Sequence, residues 1–313
     1  MGLPYFQVRG NGKLLITGEY FVLDGALAFA LPCAFGQQLK ATPIEEPVIR
    51  WKSTLHNGES WIDTSFSLPF GDDSEGQTPE QSRLLQLFRA IERLNPSFFT
   101  DGGYEVETHL EFPKNWGLGS SSTLLYCLAR WAKVDPYELL ELTFKGSGYD
   151  IACAHARDPI VYHREGRGGV SHPVDFAPNF AEQLFFVHLN QKQNSREGIR
   201  MYRETIKSAG HLIEEVTQLT HRAYESKTLA AFMSVLEAHE GLVSQNLGLQ
   251  RVQDRLFSDF SGVVKSLGAW GGDFVLAASE QSGAMIRSYF EAKGYSTVFG
   301  YEEMKFQKIR KSF

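Results

Sequence analysis

A glycine- and serine-rich segment between an expected strand and an expected helix carries the residues best suited to chemistry. It reads Gly117-Leu118-Gly119-Ser120-Ser121-Ser122. The first turn of a helix has N–H groups without intrahelical acceptors and the positive end of the helix dipole, so it suits an anion such as a phosphate. Glycines let the backbone approach a phosphate closely, and the serine hydroxyls can cap the helix or reach a phosphate-bound Mg²⁺. A serine-capped helix after a glycine turn is the alternative that needs no ligand.

A lysine and an aspartate are two further candidates for chemistry. Lys13 stands in an otherwise apolar run, where a lone cation must extend to the surface or find an anion. It can pair with a structural carboxylate, or it can stabilise charge on a transferring phosphoryl group. Asp150 follows a Gly-Ser-Gly turn and opens an expected helix, where the helix dipole alone would stabilise a carboxylate. The residue types leave both alternatives open for each side chain.

The hydrophobic pattern predicts the elements that position these residues. Alternation predicts a strand over 104–112 before the serine segment, and helical spacing predicts a helix over 123–132 after it. Gly10-Asn11-Gly12 is typical of a hairpin turn. The further predicted strands cover 5–8, 13–17, 26–31, 37–42, 48–52, 59–65, 160–163, 182–189, 274–278 and 296–299. The further predicted helices cover 79–94, 136–144, 149–156, 197–207, 211–225, 229–247, 252–267 and 282–293, and an exposed acidic loop covers 71–77.

Length, charge and cysteine content limit the class of protein. A chain of 313 residues is long enough for two packed domains, and the net charge of −6 argues against a nucleic-acid partner. No apolar run is long enough to span a bilayer, and the amino terminus lacks a signal-peptide pattern. Three cysteines without metal-ligand spacing predict buried free thiols in a reducing compartment. We therefore expect a cytoplasmic protein without membrane or nucleic-acid partners, either a monomer or a homodimer.

Three glycine-bearing segments together resemble the signature motifs of the GHMP kinases, small-molecule kinases named for galactose, homoserine, mevalonate and phosphomevalonate. The segments are Gly12 to Tyr20, Gly117 to Ser122 and Gly268 to Asp273, in the family's order. A fourth, Gly146-Ser147-Gly148-Tyr149-Asp150, is similar to the segment that supplies the family's active-site aspartate. The resemblance covers nearly the whole chain. It does not extend to Walker-type proteins, since no G-x-x-x-x-G-K-[ST] is present.

The resemblance implies an α+β fold of two domains. The N-terminal domain, residues 1–178, would be of the ribosomal-S5-like type, and the C-terminal domain, residues 179–313, would be ferredoxin-like. A change of pattern near Pro173 and Pro178 favours that boundary. In this fold ATP would lie over the serine segment, and the acceptor would lie between the domains. The expected partner is therefore a small-molecule substrate, and the expected cofactors are ATP and Mg²⁺.

The resemblance also implies roles for single residues. Asp150 would accept the proton of the acceptor hydroxyl or orient that hydroxyl, and Lys13 would stabilise the developing charge. Ser121 would ligate Mg²⁺, together with Glu141 or Glu138. The nucleotide would be held by Gly117, Leu118, Gly119, Ser120, Ser121 and Ser122.

The acceptor implied by the resemblance is an intermediate of the mevalonate pathway. Mevalonate kinases usually carry His at the position of Tyr20, so Gly18-Glu19-Tyr20 looks more like phosphomevalonate kinases. The segment 191–197 resembles a loop that faces the substrate phosphate in those kinases and in related decarboxylases, and its spacing is equally typical of a helix cap. Glu19 is expected to pair with Lys13 or the substrate, or to be an exposed turn acid. The substrate candidates are Glu19, Tyr20, Lys192, Asn194, Ser195, Gly271 and Gly272.

The sequence thus predicts an ATP- and Mg²⁺-dependent kinase that phosphorylates phosphomevalonate or mevalonate. An ATP-dependent decarboxylase of the same pathway, a sugar or homoserine kinase, and a non-catalytic ligand-binding relative are the alternatives. The presence of Lys13, Asp150 and the serine segment argues against the last, because a binding protein has little need of the acid. Trp270 stands where the family more often has a small residue, and it is expected either to narrow the site or to pack between domains.

Overall fold

The computed structural model of the chain describes residues 5–71, 77–193, 195–207, 209–270 and 273–307. Asn194, Gly271 and Gly272 lie outside these ranges, as does the part of the expected acidic loop between residues 72 and 76. Contacts divide the described chain into two units, each assembled from separate stretches. The first unit is Met1–Gly12, Phe35–Lys114 and Gly119–His155, and the second is Lys13–Ala34, Asn115–Leu118 and Ala156–Phe313, within the described residues. The expected domain division at residue 178 stays a prediction.

The first unit packs α-helices against a mixed β-sheet. Its elements, two of which continue into the second unit, are β1 (Phe6–Thr17, continuing), β2 (Ala28–Ile44, continuing), β3 (Val48–Thr54), β4 (Ser60–Ser67), α1 (Pro79–Leu94), β5 (Gly103–Leu110), α2 (Ser120–Ala132), α3 (Pro136–Leu142) and α4 (Tyr149–His155). The strand order here is β4-β3-β5-β2. The β3–β5 pair is parallel, and the β3–β4 and β5–β2 pairs are antiparallel. The buried core between sheet and helices includes Leu39, Trp51, Phe66, Phe88, Leu128 and Trp131.

The second unit contains a four-stranded antiparallel sheet and most of the helices. Its sheet has the order β11 (Val298–Gly300), β8 (Leu184–His188), β10 (Phe274–Ala278) and β9 (Val263–Ser266). Strand β6 (Ile160–Glu165) pairs with β7 (Gly168–Pro173) and with the start of β2. Its elements are a 3₁₀ helix (Phe21–Asp24), β6 (Ile160–Glu165), β7 (Gly168–Pro173), a second 3₁₀ helix (Ala181–Gln183), β8 (Leu184–His188), α5 (Ser195–Thr205), α6 (Gly210–Glu225), α7 (Leu229–Leu247), α8 (Val252–Leu256), β9 (Val263–Ser266), β10 (Phe274–Ala278), α9 (Gly283–Ala292), β11 (Val298–Gly300) and α10 (Tyr301–Met304).

The expected α+β class is confirmed, as are several individual elements. Helix α1 has the predicted bounds, because Thr78 and Gln81 form a capping box before it and Pro79 occupies its first position. Helix α7 and strand β10 also have the predicted bounds. All three cysteines are buried and none of them forms a disulfide bond, as expected. No helix among the described residues is long and apolar enough to cross a membrane.

Three predictions about individual elements are wrong. The expected hairpin at residues 10–12 does not form, since β1 runs through it without the positive φ angles that such a turn needs. The two strands expected over 26–31 and 37–42 are the single strand β2. The helix expected over 252–267 ends at Leu256, and Val263–Ser266 is strand β9. A four-residue buried run is too short for its periodicity to distinguish a strand from a helix.

Candidate active site

In the first unit, the serine segment begins a helix whose N-terminus has no side-chain cap. Gly119 is the N-cap residue of α2, with a φ of 89°, and the three serines fill the first helical positions. The Ser122 hydroxyl is buried and donates to the Gly119 carbonyl oxygen at 2.8 Å. Ser121 is exposed and Ser120 is half-buried. The alternative of a serine-capped helix is therefore wrong, and no side-chain cap occupies the N–H groups of the first turn, which suit an anion.

Asp150 lies at the start of α4 in the same unit, after two glycines with positive φ angles, Gly146 at 134° and Gly148 at 90°. Its carboxyl group is half-buried and accepts the N–H of Ile151 at 3.1 Å. Burial, together with the negative charge of Asp150, raises the pKa of the nearby Tyr137 to about 12. Tyr137 is therefore a neutral hydrogen-bonding group beside the carboxylate at neutral pH.

The residues expected to hold Mg²⁺ also belong to the first unit. Glu141 is half-buried on α3, and the Ser121 hydroxyl is exposed at the start of α2. Among the described residues, no three His, Cys, Asp or Glu side chains are grouped closely enough to hold a metal ion. Mg²⁺ in phosphoryl-transfer sites needs only one or two protein ligands, because phosphate oxygens and water supply the rest. One carboxylate and one hydroxyl fit that requirement.

In the second unit, Lys13 is bonded to the glycine end of the serine segment. Its Nζ donates to the Gly117 carbonyl oxygen at 2.9 Å, and its backbone N–H donates to the Leu118 carbonyl oxygen at 3.0 Å. The side chain is half-buried. Lys13 was expected to extend to the surface or to find an anion. In the structure its ammonium group donates to a loop carbonyl oxygen.

Asp273, at the end of the third glycine-bearing segment, packs against the same loop residue. Gly117 has a φ of 66°, and a Cβ at that position would overlap the Asp273 side chain. Asp273 Oδ1 accepts the N–H of Gln193 at 2.9 Å. Burial raises the pKa of Asp273, and the positive charges of Lys13 and Lys192 partly oppose that rise. Asp273 thus connects the second and third motifs with the segment predicted to hold the acceptor.

Asp273 was not among the residues predicted to act, although the sequence offered a signal. It is the acidic residue that ends a glycine-rich turn before a buried strand.

Two of the residues predicted to hold the acceptor lie in or next to helix α5. Lys192 is exposed, and Ser195 begins α5.

Tyr20 connects the first motif with helix α5. It has a φ of 62°, and its ring stacks on Tyr202 with centroids 5.8 Å apart and planes 14° apart. The Tyr20 hydroxyl lies 2.7 Å from the position that a Cβ of Gly198 would occupy. The Tyr202 hydroxyl in turn donates to Asp24 Oδ2 at 2.5 Å. The first motif is therefore in direct contact, within the second unit, with the helix that begins in the segment 191–197.

Trp270 belongs to the same apolar cluster as Tyr20 and Tyr202. It is 7% exposed, and its Nε1 donates to the Gln250 carbonyl oxygen at 3.3 Å. Of the two expected roles, packing is the one that its burial supports, and that packing lies inside the second unit.

The expectations for Glu19 are corrected by its surroundings. Its side chain is completely buried and pairs with Lys265 instead of Lys13, so it is not an exposed turn acid. Glu19 Oε2 lies 3.4 Å from His239 Nε2. Burial raises the pKa of Glu19 from 4.5 to about 7, although the Lys265 charge opposes the rise. A carboxyl group without solvent exposure has no direct access to a substrate in this conformation.

Lys265, His239 and Glu240 surround Glu19 and were missed by the sequence analysis. Lys265 carried the same signal as Lys13, a single lysine in an apolar run. Because a helix was predicted over residues 252–267, Lys265 was not recognised as a single lysine in an apolar strand.

No protein-family model matches the sequence, and no curated protein matches it either. Solved structures do match the fold. The phosphomevalonate kinase of Streptococcus pneumoniae, in complex with phosphomevalonate and AMPPNP, has a TM-score of 0.70 at 15% identity, covering 93% of this chain and 97% of its own. The mevalonate kinase of Methanococcus jannaschii has a TM-score of 0.68 at 13% identity, covering 97% and 99%.

A third structure, the galactokinase of Lactococcus lactis complexed with galactose, has a TM-score of 0.68 at 16% identity, with 96% of this chain and 93% of its own covered. The similarity extends over nearly the full length in each comparison. At these identities it establishes the fold. The chain has the α+β fold shared by these small-molecule kinases.

Proposed function

We propose that the chain is a GHMP-type kinase that transfers the γ-phosphoryl group of ATP to a small-molecule acceptor, with phosphomevalonate ahead of mevalonate. The observation that carries this proposal is the N-terminus of α2, where Gly119 is the cap residue and no side chain caps the first turn. Unpaired N–H groups at the positive end of a helix dipole bind phosphate. The shared fold supports the same conclusion.

The described residues supply the groups that phosphoryl transfer needs. Asp150 accepts the proton of the acceptor hydroxyl or orients that hydroxyl, and Lys13 stabilises charge on the transferring group. Ser121 and Glu141 contribute to holding Mg²⁺. When bound, the metal would neutralise charge on the phosphates, and the protein residues would supply the positioning.

The acceptor assignment rests on the second unit. Lys192 is exposed near the Asp273 carboxyl group, and α5 begins at Ser195 with Arg196 exposed in its first turn. Cations beside a helix start exceed what an uncharged alcohol requires and suit an acceptor that already carries a phosphate. Tyr20 contacts α5 directly, so the first motif also lies against this helix.

An ATP-consumption screen tests the reaction and the acceptor together. Mevalonate, phosphomevalonate, diphosphomevalonate, galactose and homoserine are supplied singly with ATP and Mg²⁺, and product masses are measured. We expect a product heavier by one phosphoryl group with phosphomevalonate. Loss of carbon dioxide from diphosphomevalonate would instead identify the decarboxylase. The absence of ATP consumption with every acceptor would contradict the proposal.

Asp150→Asn tests the catalytic assignment. We expect turnover to fall by about 100- to 10,000-fold, the usual contribution of acid–base catalysis, with nucleotide affinity little changed. Asp135→Asn is the matched control, because Asp135 caps α3 by accepting the N–H groups of Tyr137 and Glu138, and asparagine caps equally well. Turnover of Asp150→Asn within about tenfold of the parent would leave this aspartate a structural role only.

A further inference from the structure

A cluster of buried polar side chains lies behind the first motif in the second unit. Glu19, His239, Glu240, Lys265 and Ser266 are each 0% exposed. The Lys265 ammonium group donates to Glu19 Oε1 and, at 2.8 Å, to the Ser266 carbonyl oxygen. The Glu240 carboxyl group accepts the Ser266 N–H at 3.3 and 3.2 Å. Nothing in the proposed reaction uses these groups.

Stability does not explain this cluster. Removing charges from water is costly, and well-packed apolar residues in place of a buried ion pair are often as stable or more stable. The titratable groups are also unequal in number, with two carboxyl groups for one ammonium group. His239 Nε2 accepts the Gly18 N–H at 2.9 Å, so this imidazole is neutral and does not balance the second carboxyl group. A role in fixing local geometry accounts for the cluster better.

The geometry beside Glu19 needs such support. Gly18 has a φ of 100°, and a Cβ there would overlap Ala28. Tyr20 has a φ of 62° and a ψ of −47°, a combination that residues other than glycine rarely adopt and that costs about 1–3 kcal/mol. A strained residue of this kind persists only where its surroundings fix it. Here His239 holds the backbone before Glu19, and Lys265 holds the Glu19 side chain.

We propose that Lys265 is a positioning residue for the acceptor side of the site. Its bond to Glu19 holds Tyr20 in its positive-φ conformation, in which the Tyr20 ring stacks on Tyr202 and the hydroxyl meets helix α5 at Gly198. This inference rests on the proposed function for its kinetic consequence. Its structural consequence, the Tyr20–Tyr202 stack, does not depend on any activity.

Lys265→Met tests the proposal with two separate readouts. Near-ultraviolet circular dichroism reports the packing of all aromatic side chains, among them Tyr20, Tyr202 and Trp270. We expect that spectrum to change while the far-ultraviolet spectrum stays the same. With phosphomevalonate and ATP, we expect the acceptor KM to rise at least tenfold, with kcat and the KM for ATP within about threefold of the parent. Lys293→Met is the control, because Lys293 pairs with Asp259 at 2.9 Å in the same unit and Asp259 is largely exposed.

A second variant keeps the test decisive if the first does not fold. Glu19→Gln combined with Lys265→Met removes both charges and retains the side-chain volumes, so it should fold and show the same two changes. A folded variant with the parent's near-ultraviolet spectrum and a control-like acceptor KM would overturn the proposal. Failure of both variants to fold would assign the cluster to stability and overturn it equally. If the unaltered protein phosphorylates no acceptor, the proposed function fails, and the spectrum still tests the positioning.

Discussion

Replacing Gly117 by alanine tests the contact between the glycine loop and Asp273. Gly117 has a φ of 66°, and the added Cβ would overlap the carboxyl group and the Cβ of Asp273. The left-handed conformation alone costs an alanine about 1–2 kcal/mol. Forcing the overlapping groups apart costs about 1–3 kcal/mol more. We therefore expect the free energy of unfolding to fall by about 2–5 kcal/mol.

Gly268→Ala separates the two contributions. Gly268 also has a positive φ, 62°, but a Cβ there would have no atom within 4 Å. This variant should lose only the conformational cost, about 1–2 kcal/mol. Urea denaturation of both variants measures the difference, and ATP turnover should fall further in Gly117→Ala because Lys13 donates to the Gly117 carbonyl oxygen. Equal losses of stability and turnover in the two variants would refute the packing of Asp273 against the loop.

Two further predictions concern Glu19 and Lys192. Because burial raises the pKa of Glu19 from 4.5 to about 7, its contribution to stability is complete below pH 4.5 and is lost as the pH rises to 7, by about 3 kcal/mol. Glu19→Gln should abolish this dependence in urea denaturation at pH 5 and 7, and an unchanged slope would contradict the raised pKa. Lys192→Ala should raise the KM for the acceptor more than that for ATP. Arg200→Ala is the control on α5, since Arg200 is exposed and pairs only loosely with Glu197 at 3.7 Å, and equal effects of the two variants would exclude an acceptor role for Lys192.

The fold was predictable where local signals and tertiary packing agree. Helix α1 combines a capping box, an initial proline and one apolar face, and its bounds were predicted correctly. The hairpin predicted within β1 was wrong because the glycines there allow close packing and do not form a turn. A Cβ at Gly10 would lie 3.1 Å from the Thr123 carbonyl oxygen, and one at Gly36 would overlap the Gly10 carbonyl oxygen. That requirement comes from distant parts of the chain, which a local pattern does not show.

The site was predictable to the extent that its residues stand in recognisable motifs. The serine segment and Lys13 could be placed in advance, and the structure adds the uncapped helix start and the bond to Gly117. Glu19 was identified, but its partner Lys265 lies 246 residues away in the sequence. Asp273 and Lys265 meet the motifs only through the folding of the second unit. The catalytic roles, the cytoplasmic location and the oligomeric state stay predictions.

Lys13 and Lys265 show why the same sequence pattern leads to two different roles. Each is a single lysine in an apolar strand, and each must place a cation in apolar surroundings. Lys265 is 0% exposed and its ammonium group is bonded to Glu19, so no ligand can reach it without breaking a buried ion pair. Lys13 is half-buried, and its ammonium group donates to the Gly117 carbonyl oxygen in the glycine-rich motif. Exposure, which the sequence pattern does not encode, therefore distinguishes Lys13, which we propose for the chemistry, from Lys265, which we propose for positioning.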